Sequence, residues 1–177
     1  MNKMELKEFI EYCKFQHDFK CNQHYGTIHP YSFHLDMVYE QAKLFINFIP
    51  VDEPHHSNII AGIYGHDLIE DARVTYKDIK EIYNQEVADI IYCCTEEKGR
   101  NRNERHSEKY FNELRQNEDA IFVKLCDIIA NVKYSLLTNS SMFGKYRKEY
   151  PHMKEMLYTE QYKKMFDYLE YILNTKK

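Results

Sequence analysis

Residues 65 to 72 read GHDLIEDA and gather one imidazole and three carboxylates, His66, Asp67, Glu70 and Asp71, in an otherwise apolar stretch. On a helical repeat His66 and Glu70 stand four apart, Asp67 and Glu70 three apart, and Asp67 and Asp71 four apart. All four then crowd one broad helical face. The preceding AGIYG and the interposed Leu68 and Ile69 predict that this helix is largely buried. Clustered carboxylates in a poorly hydrated place repel one another, and a buried charge is costly unless it is paired or bound to a metal. A divalent cation is the simplest remedy.

Two other segments repeat the oddity of an ionisable residue inside an apolar helical run: His34 in PYSFHLDMV and Asp127 in VKLCDIIANV. Each residue alone has a plain structural reading. His34 could be a satisfied core histidine, Asp127 a buried hydrogen-bonding group, and His66–Asp67 an ion pair on a half-exposed face. Their joint occurrence in the order H…HD…D favours a metal site. Two imidazoles and two carboxylates suit a first-row divalent ion, with Mn, Fe, Zn or Mg all compatible.

The elements that must position these residues read as helices throughout. An amphipathic pattern covers residues 4 to 20, followed by a loop around HYGTIHPY and a helix from Ser32 to Phe48, broken by Pro50 and Pro54. A buried helix is expected from His55 to Asp71, and a short one to Ile82 capped by Thr75 with Asp78 as its acidic partner. Further helices are expected over Glu86–Cys94, Glu104–Arg115, Glu118–Leu137 and Lys154–Leu173. No period-2 run, hairpin turn, repeat or linker stands out, so the expectation is one all-α domain spanning residues 1–177.

At 177 residues the chain can bury a core without staples. The formal charge of −4 argues against a general nucleic-acid binder, which would carry a basic stripe. A nucleotide substrate remains compatible, because a metal and a few cations suffice for it. The five cysteines are odd in number and lack metal-finger spacing, so free thiols in a reducing cytoplasm are expected. The charged N-terminus is no signal peptide, and no apolar run approaches the roughly 20 residues needed to cross a bilayer. A soluble, cytoplasmic protein is the expectation, with no membrane partner.

The H…HD…D order resembles the HD-domain metal-dependent phosphohydrolases, an all-helical family. Within it the resemblance is closest to the hydrolase domain of the RelA/SpoT proteins and their small single-domain relatives, which remove pyrophosphate from the 3′ position of ppGpp. The matching pieces are PYSFH, GHDLIED, the stretch from Thr75 to Ala88 leading toward Cys94–Thr95, and VKLCDIIANV, together about residues 24 to 135. The resemblance implies His34, His66, Asp67 and Asp127 as metal ligands, with Mn²⁺ foremost. It implies Glu70 and Asp71 as the pair that orients or deprotonates the attacking water. Tyr31 and Asn131 would face the nucleotide, Lys124 would pack or neutralise phosphate, and Tyr150 matches a substrate-side tyrosine on a later helix.

The loop before the first ligand departs from the family pattern. It reads HYGTIHPYSFH, is several residues shorter, and has His24 and His29 but no Arg or Lys. Arg100, Arg102 and Arg105 in the later KGRNRNER loop could supply compensating cations, or that loop is simply solvated. The expected activity is hydrolysis of the 3′-pyrophosphate of (p)ppGpp or a related nucleotide. The alternatives are an HD-family phosphatase or phosphodiesterase acting on another nucleotide, and a non-catalytic metal-stabilised binding domain.

Overall fold

The structure is a computed structural model that describes residues 3–48 and 53–175, and it is an all-α helical bundle. Helix α1 (Leu6–Phe15) buries Phe9 and Cys13 and runs on as a π-helical turn, Gln16–Lys20, which carries His17 into the interior. The next segment was expected to be a plain loop. It is a minimal antiparallel hairpin, β1 (His24–Tyr25) paired with β2 (His29–Pro30). Two residues per strand are too few to display alternation. The hairpin turns at Gly26, whose φ of +62° and close approach to the Tyr134 hydroxyl disfavour a side chain.

Helix α2 (Ser32–Phe45) follows, closed by a 3₁₀ turn to Phe48; Pro50 lies outside the described residues. Helix α3 (Glu53–Gly65) accommodates Pro54 in its first turn, where no intrahelical N–H is required. The continuous helix expected through Asp71 is interrupted. Residues 66 and 67 form a turn, and a separate α4 covers Leu68–Asp71. The His66 ring takes the Ile63 carbonyl at 2.7 Å, the acceptor a continuing helix would offer to the Asp67 amide.

Helices α5 (Tyr76–Ile82) and α6 (Gln85–Cys94) come next. The Thr75–Asp78 capping box is present, and Asn84 caps α6 through the Val87 amide. The single helix expected from Glu104 to Arg115 divides into α7 (Arg102–Arg105) and α8 (Glu108–Leu114), because Ser107 takes an extended conformation and caps a new start. Helix α9 (Glu118–Leu137) has the limits read from the sequence.

The final expected helix, Lys154–Leu173, is two. Helix α10 (Met142–Leu157) contains Pro151, the chain turns at Tyr158 (ψ 129°), and α11 (Lys163–Leu173) packs back. A mostly polar helix with an internal proline gives little periodic signal, so α10 was not legible in the sequence.

One apolar core surrounds α9 with residues such as Val123, Phe122, Phe143 and Phe166. A second packs Phe9 and Cys13 of α1 against Ala61, Leu68, Ile79 and Ile91. Helices α2 and α3 contribute to both, which makes them rigid mounts for the side chains between. Phe122 and Phe166 are wholly buried, and truncating either to alanine would cost about 3–5 kcal/mol.

Candidate metal centre

His34 comes from the first turn of α2, His66 and Asp67 from the turn between α3 and α4, and Asp127 from the middle of α9. Their polar atoms converge. His34 Nε2 is 3.2 Å from Asp127 Oδ1 and 3.8 Å from Asp67 Oδ2; His66 Nε2 is 2.9 Å from Asp67 Oδ2 and 3.8 Å from Asp127 Oδ1. One ligand atom each from His34, His66 and Asp127 all lie within 4.8 Å of one another, and the three residues are buried. This group could bind a metal ion.

The donor chemistry fits a divalent cation. His66 Nδ1 donates to the Ile63 carbonyl, so in the neutral ring Nε2 carries a lone pair. That nitrogen is buried, makes no hydrogen bond, and faces two carboxylates. Three electron-rich groups aimed at one point repel unless positive charge lies among them. Burial alone would lower the His66 pKa, yet Asp67 and Asp127 drive it up to about 9. Burial likewise opposes ionisation of both aspartates. His66 nevertheless holds Asp67 below the ordinary carboxylate range, and Lys124 does the same for Asp127.

A second layer of polar side chains holds the carboxylates in place. The Tyr31 hydroxyl donates to Asp67 Oδ2, and the Asn131 side-chain amide donates to Asp127 Oδ1. Asn131 Oδ1 in turn accepts from the Tyr25 hydroxyl at 2.6 Å, while the Tyr25 ring stacks on His34 with centroids 4.6 Å apart. Lys124 Nζ sits 3.3 Å from Asp127 Oδ2 and 3.6 Å from Glu96 Oε1.

These residues border a cavity of about 550 Å³. Glu70 and Asp71 both line it but lean on different neighbours. The Glu70 carboxylate accepts the Glu96 amide at 3.3 Å and lies 3.7 Å from Arg105; burial, reinforced by the Glu96 charge, pushes its pKa up to about 7. The Asp71 carboxylate accepts from Gln23 Nε2 at 2.8 Å, and burial with the Asp67 charge raises its pKa. Because α4 is a separate turn, these two do not share one continuous helical face with His66.

Arg102 and Arg105 of the basic loop also line the cavity, but both are committed to carboxylates. Arg102 pairs with Glu149 at 2.8 Å, and Arg105 approaches Glu96 at 3.4 Å. Tyr150 borders the far wall, and its hydroxyl donates to the Phe166 carbonyl at 3.1 Å.

Several lining residues escaped sequence reasoning. Tyr25 and Glu96 reach the cavity, and Gln23 reaches Asp71, through contacts between distant segments. For Glu96 the one local signal was its place directly after Cys94–Thr95. A hydrogen bond to His106 and the Lys124 charge overcome its burial and hold its carboxyl down to about 2. The cysteines are free thiols, and among the described residues no helix is long and apolar enough to cross a membrane.

No family model matches the sequence. The fold is similar to a solved structure of a metazoan ortholog of SpoT, a protein described as hydrolysing ppGpp and playing a role in starvation responses. The two chains are 17% identical, with 96% of this chain and 95% of the other covered at a TM-score of 0.71. The chain thus has the all-α fold of that solved structure.

Proposed function

We propose that the chain is a cytoplasmic metal-dependent phosphohydrolase acting on a nucleotide, with the 3′-pyrophosphate of (p)ppGpp as the favoured target. His34, His66, Asp67 and Asp127 are its metal ligands. The observation that carries this reading is the convergence of their ligand atoms beside a cavity of nucleotide size, which His34, Asp67 and Asp127 line. A bound divalent ion, Mn²⁺ foremost and Fe, Zn or Mg as alternatives, would supply a water of lowered pKa and polarise a phosphoryl oxygen.

Glu70 accepts the proton of the attacking water. A carboxyl whose pKa lies near 7 changes protonation readily at neutral pH, which suits a general base. Asp71 orients that water. Tyr31 and Asn131 border the nucleotide and also steady Asp67 and Asp127 through their hydrogen bonds. Lys124 balances Glu96 and Asp127, and Tyr150 forms part of the wall against which the substrate packs. The ppGpp hydrolysis described for the SpoT ortholog of like fold supports the substrate class.

A second reading, hydrolysis of a different phosphorylated nucleotide, is favoured by one observation. The hairpin before His34 offers no Arg or Lys, and Arg102 and Arg105 lie against acidic partners. Release of pyrophosphate and phosphate from ppGpp with added Mn²⁺, beside a panel of ordinary nucleotides, separates the two. Metal-dependent pyrophosphate release from ppGpp is the expected result. Turnover of another nucleotide with none of ppGpp would establish the second reading, and no turnover at all would reject both.

A further inference from the structure

Asp71 is tied to the interior by a relay of polar side chains. Its Oδ2 lies 2.8 Å from Gln23 Nε2. An ionised carboxylate only accepts, so Gln23 must turn its NH₂ toward Asp71 and its carbonyl oxygen away. That oxygen sits 2.7 Å from His17 Nδ1 and itself only accepts, so Nδ1 must carry the ring proton. Burial keeps the His17 pKa below its ordinary value despite the Gln23 bond, which favours the neutral ring. His17 Nε2 is left as a bare acceptor, buried and without a hydrogen-bond partner.

The backbone makes the relay rigid. The Gln23 amide donates to the His17 carbonyl at 2.9 Å, and the Gln23 carbonyl accepts from the Tyr31 amide at 3.2 Å. The His17 ring, carried inward by the π-helical turn, stacks on Tyr31 with centroids 4.6 Å apart. Glu70 has no such anchor: its partners are the Glu96 amide and Arg105 at the cavity.

We propose that Gln23 is a positioning residue that fixes the rotation of the Asp71 carboxylate, and that His17 locks the Gln23 amide in the one orientation able to do so. This inference rests on the reading of Asp71 as the water-orienting carboxylate. Removing the amide leaves Asp71 free to turn, which slows turnover while ground-state binding and metal loading stay intact.

Nitrogen-15 spectra of the histidine rings in the metal-free chain test the relay without any turnover. His17 is expected wholly in the Nδ1–H form in the wild type. In Asp71→Asn, whose amide both donates and accepts, Gln23 can turn over and the His17 tautomers should mix. A wild-type His17 protonated on Nε2, or one indifferent to Asp71→Asn, overturns the relay.

Kinetics on the Mn²⁺-loaded chain with ppGpp test the consequence. Gln23→Ala should lower kcat about tenfold or more with KM and metal content unchanged. His17→Asn, which places an amide nitrogen near the former Nδ1, should retain most of kcat, and His17→Gln should not. Equal losses in those two histidine variants, or a drop in metal content in Gln23→Ala, would reject the positioning role. If Asp71→Asn itself turns over at the wild-type rate, the assignment of Asp71 fails. If Asp71→Asn is slow but Gln23→Ala is not, only the role of Gln23 fails.

Discussion

His34 Nε2 and Asp127 Oδ1 stand 3.2 Å apart, one carried by the first turn of α2 and the other by the middle of α9. Both side chains are buried, so neither can turn to water when its partner is lost. Asp127→Ala is therefore expected to strip most bound metal from the purified protein. Elemental analysis after dialysis reads this directly, and a wild-type metal content would remove Asp127 from the ligand set.

Glu70 lies outside the cluster of converging ligand atoms, so its loss should leave the metal in place. Glu70→Gln preserves shape and the ability to accept from the Glu96 amide but removes the proposed base. Turnover should fall by about 10²–10⁴ with metal content unchanged. An unaltered rate would exclude Glu70 as the proton acceptor.

The Glu70 pKa of about 7, raised by burial and then by Glu96, carries two pH effects. In the proposed role of base Glu70 must be ionised, so kcat should climb with pH through the neutral range and level off above it. Glu96→Gln removes the nearby negative charge and should move that limb to lower pH.

For stability the sign is opposite. The folded-state pKa lies above the unfolded value of about 4.5, so the advantage of the protonated carboxyl is complete below that value and lost as pH rises through about 7. Thermal melts of the metal-free chain should show Glu70→Gln gaining on the wild type between pH 5 and 8. A constant difference across that range would contradict the raised pKa.

Tyr25 steadies Asp127 at one remove, through Asn131. Tyr25→Phe keeps the ring that stacks on His34 and deletes only the hydroxyl. Metal affinity should weaken about tenfold without loss of fold, as measured by metal titration. Asn131→Ala, which removes the direct bond to Asp127, should weaken it further, and the reverse order would disprove the relay through Asn131.

Much of this was legible in the chain itself because the determinants are local. The limits of α9 follow from the apolar spacing between Glu118 and Leu137, and the start of α5 from Thr75 and Asp78, which meet within one turn. The H…HD…D order likewise singled out His34, His66, Asp67 and Asp127, since ionisable residues inside apolar runs are conspicuous wherever they fall.

Tertiary structure decided what depends on partners far away in sequence. The interruption at His66 arises because its ring competes for the Ile63 carbonyl, and the division of α10 from α11 arises at Tyr158, where no strong breaker stands. The ties from Gln23 to Asp71, from Tyr25 to Asn131 and from Glu96 to Lys124 join segments that only the packing of the bundle brings together. Periodicity and caps act over a few residues and so can be read along the chain. A hydrogen bond between distant segments has its partner only once packing has brought the two together.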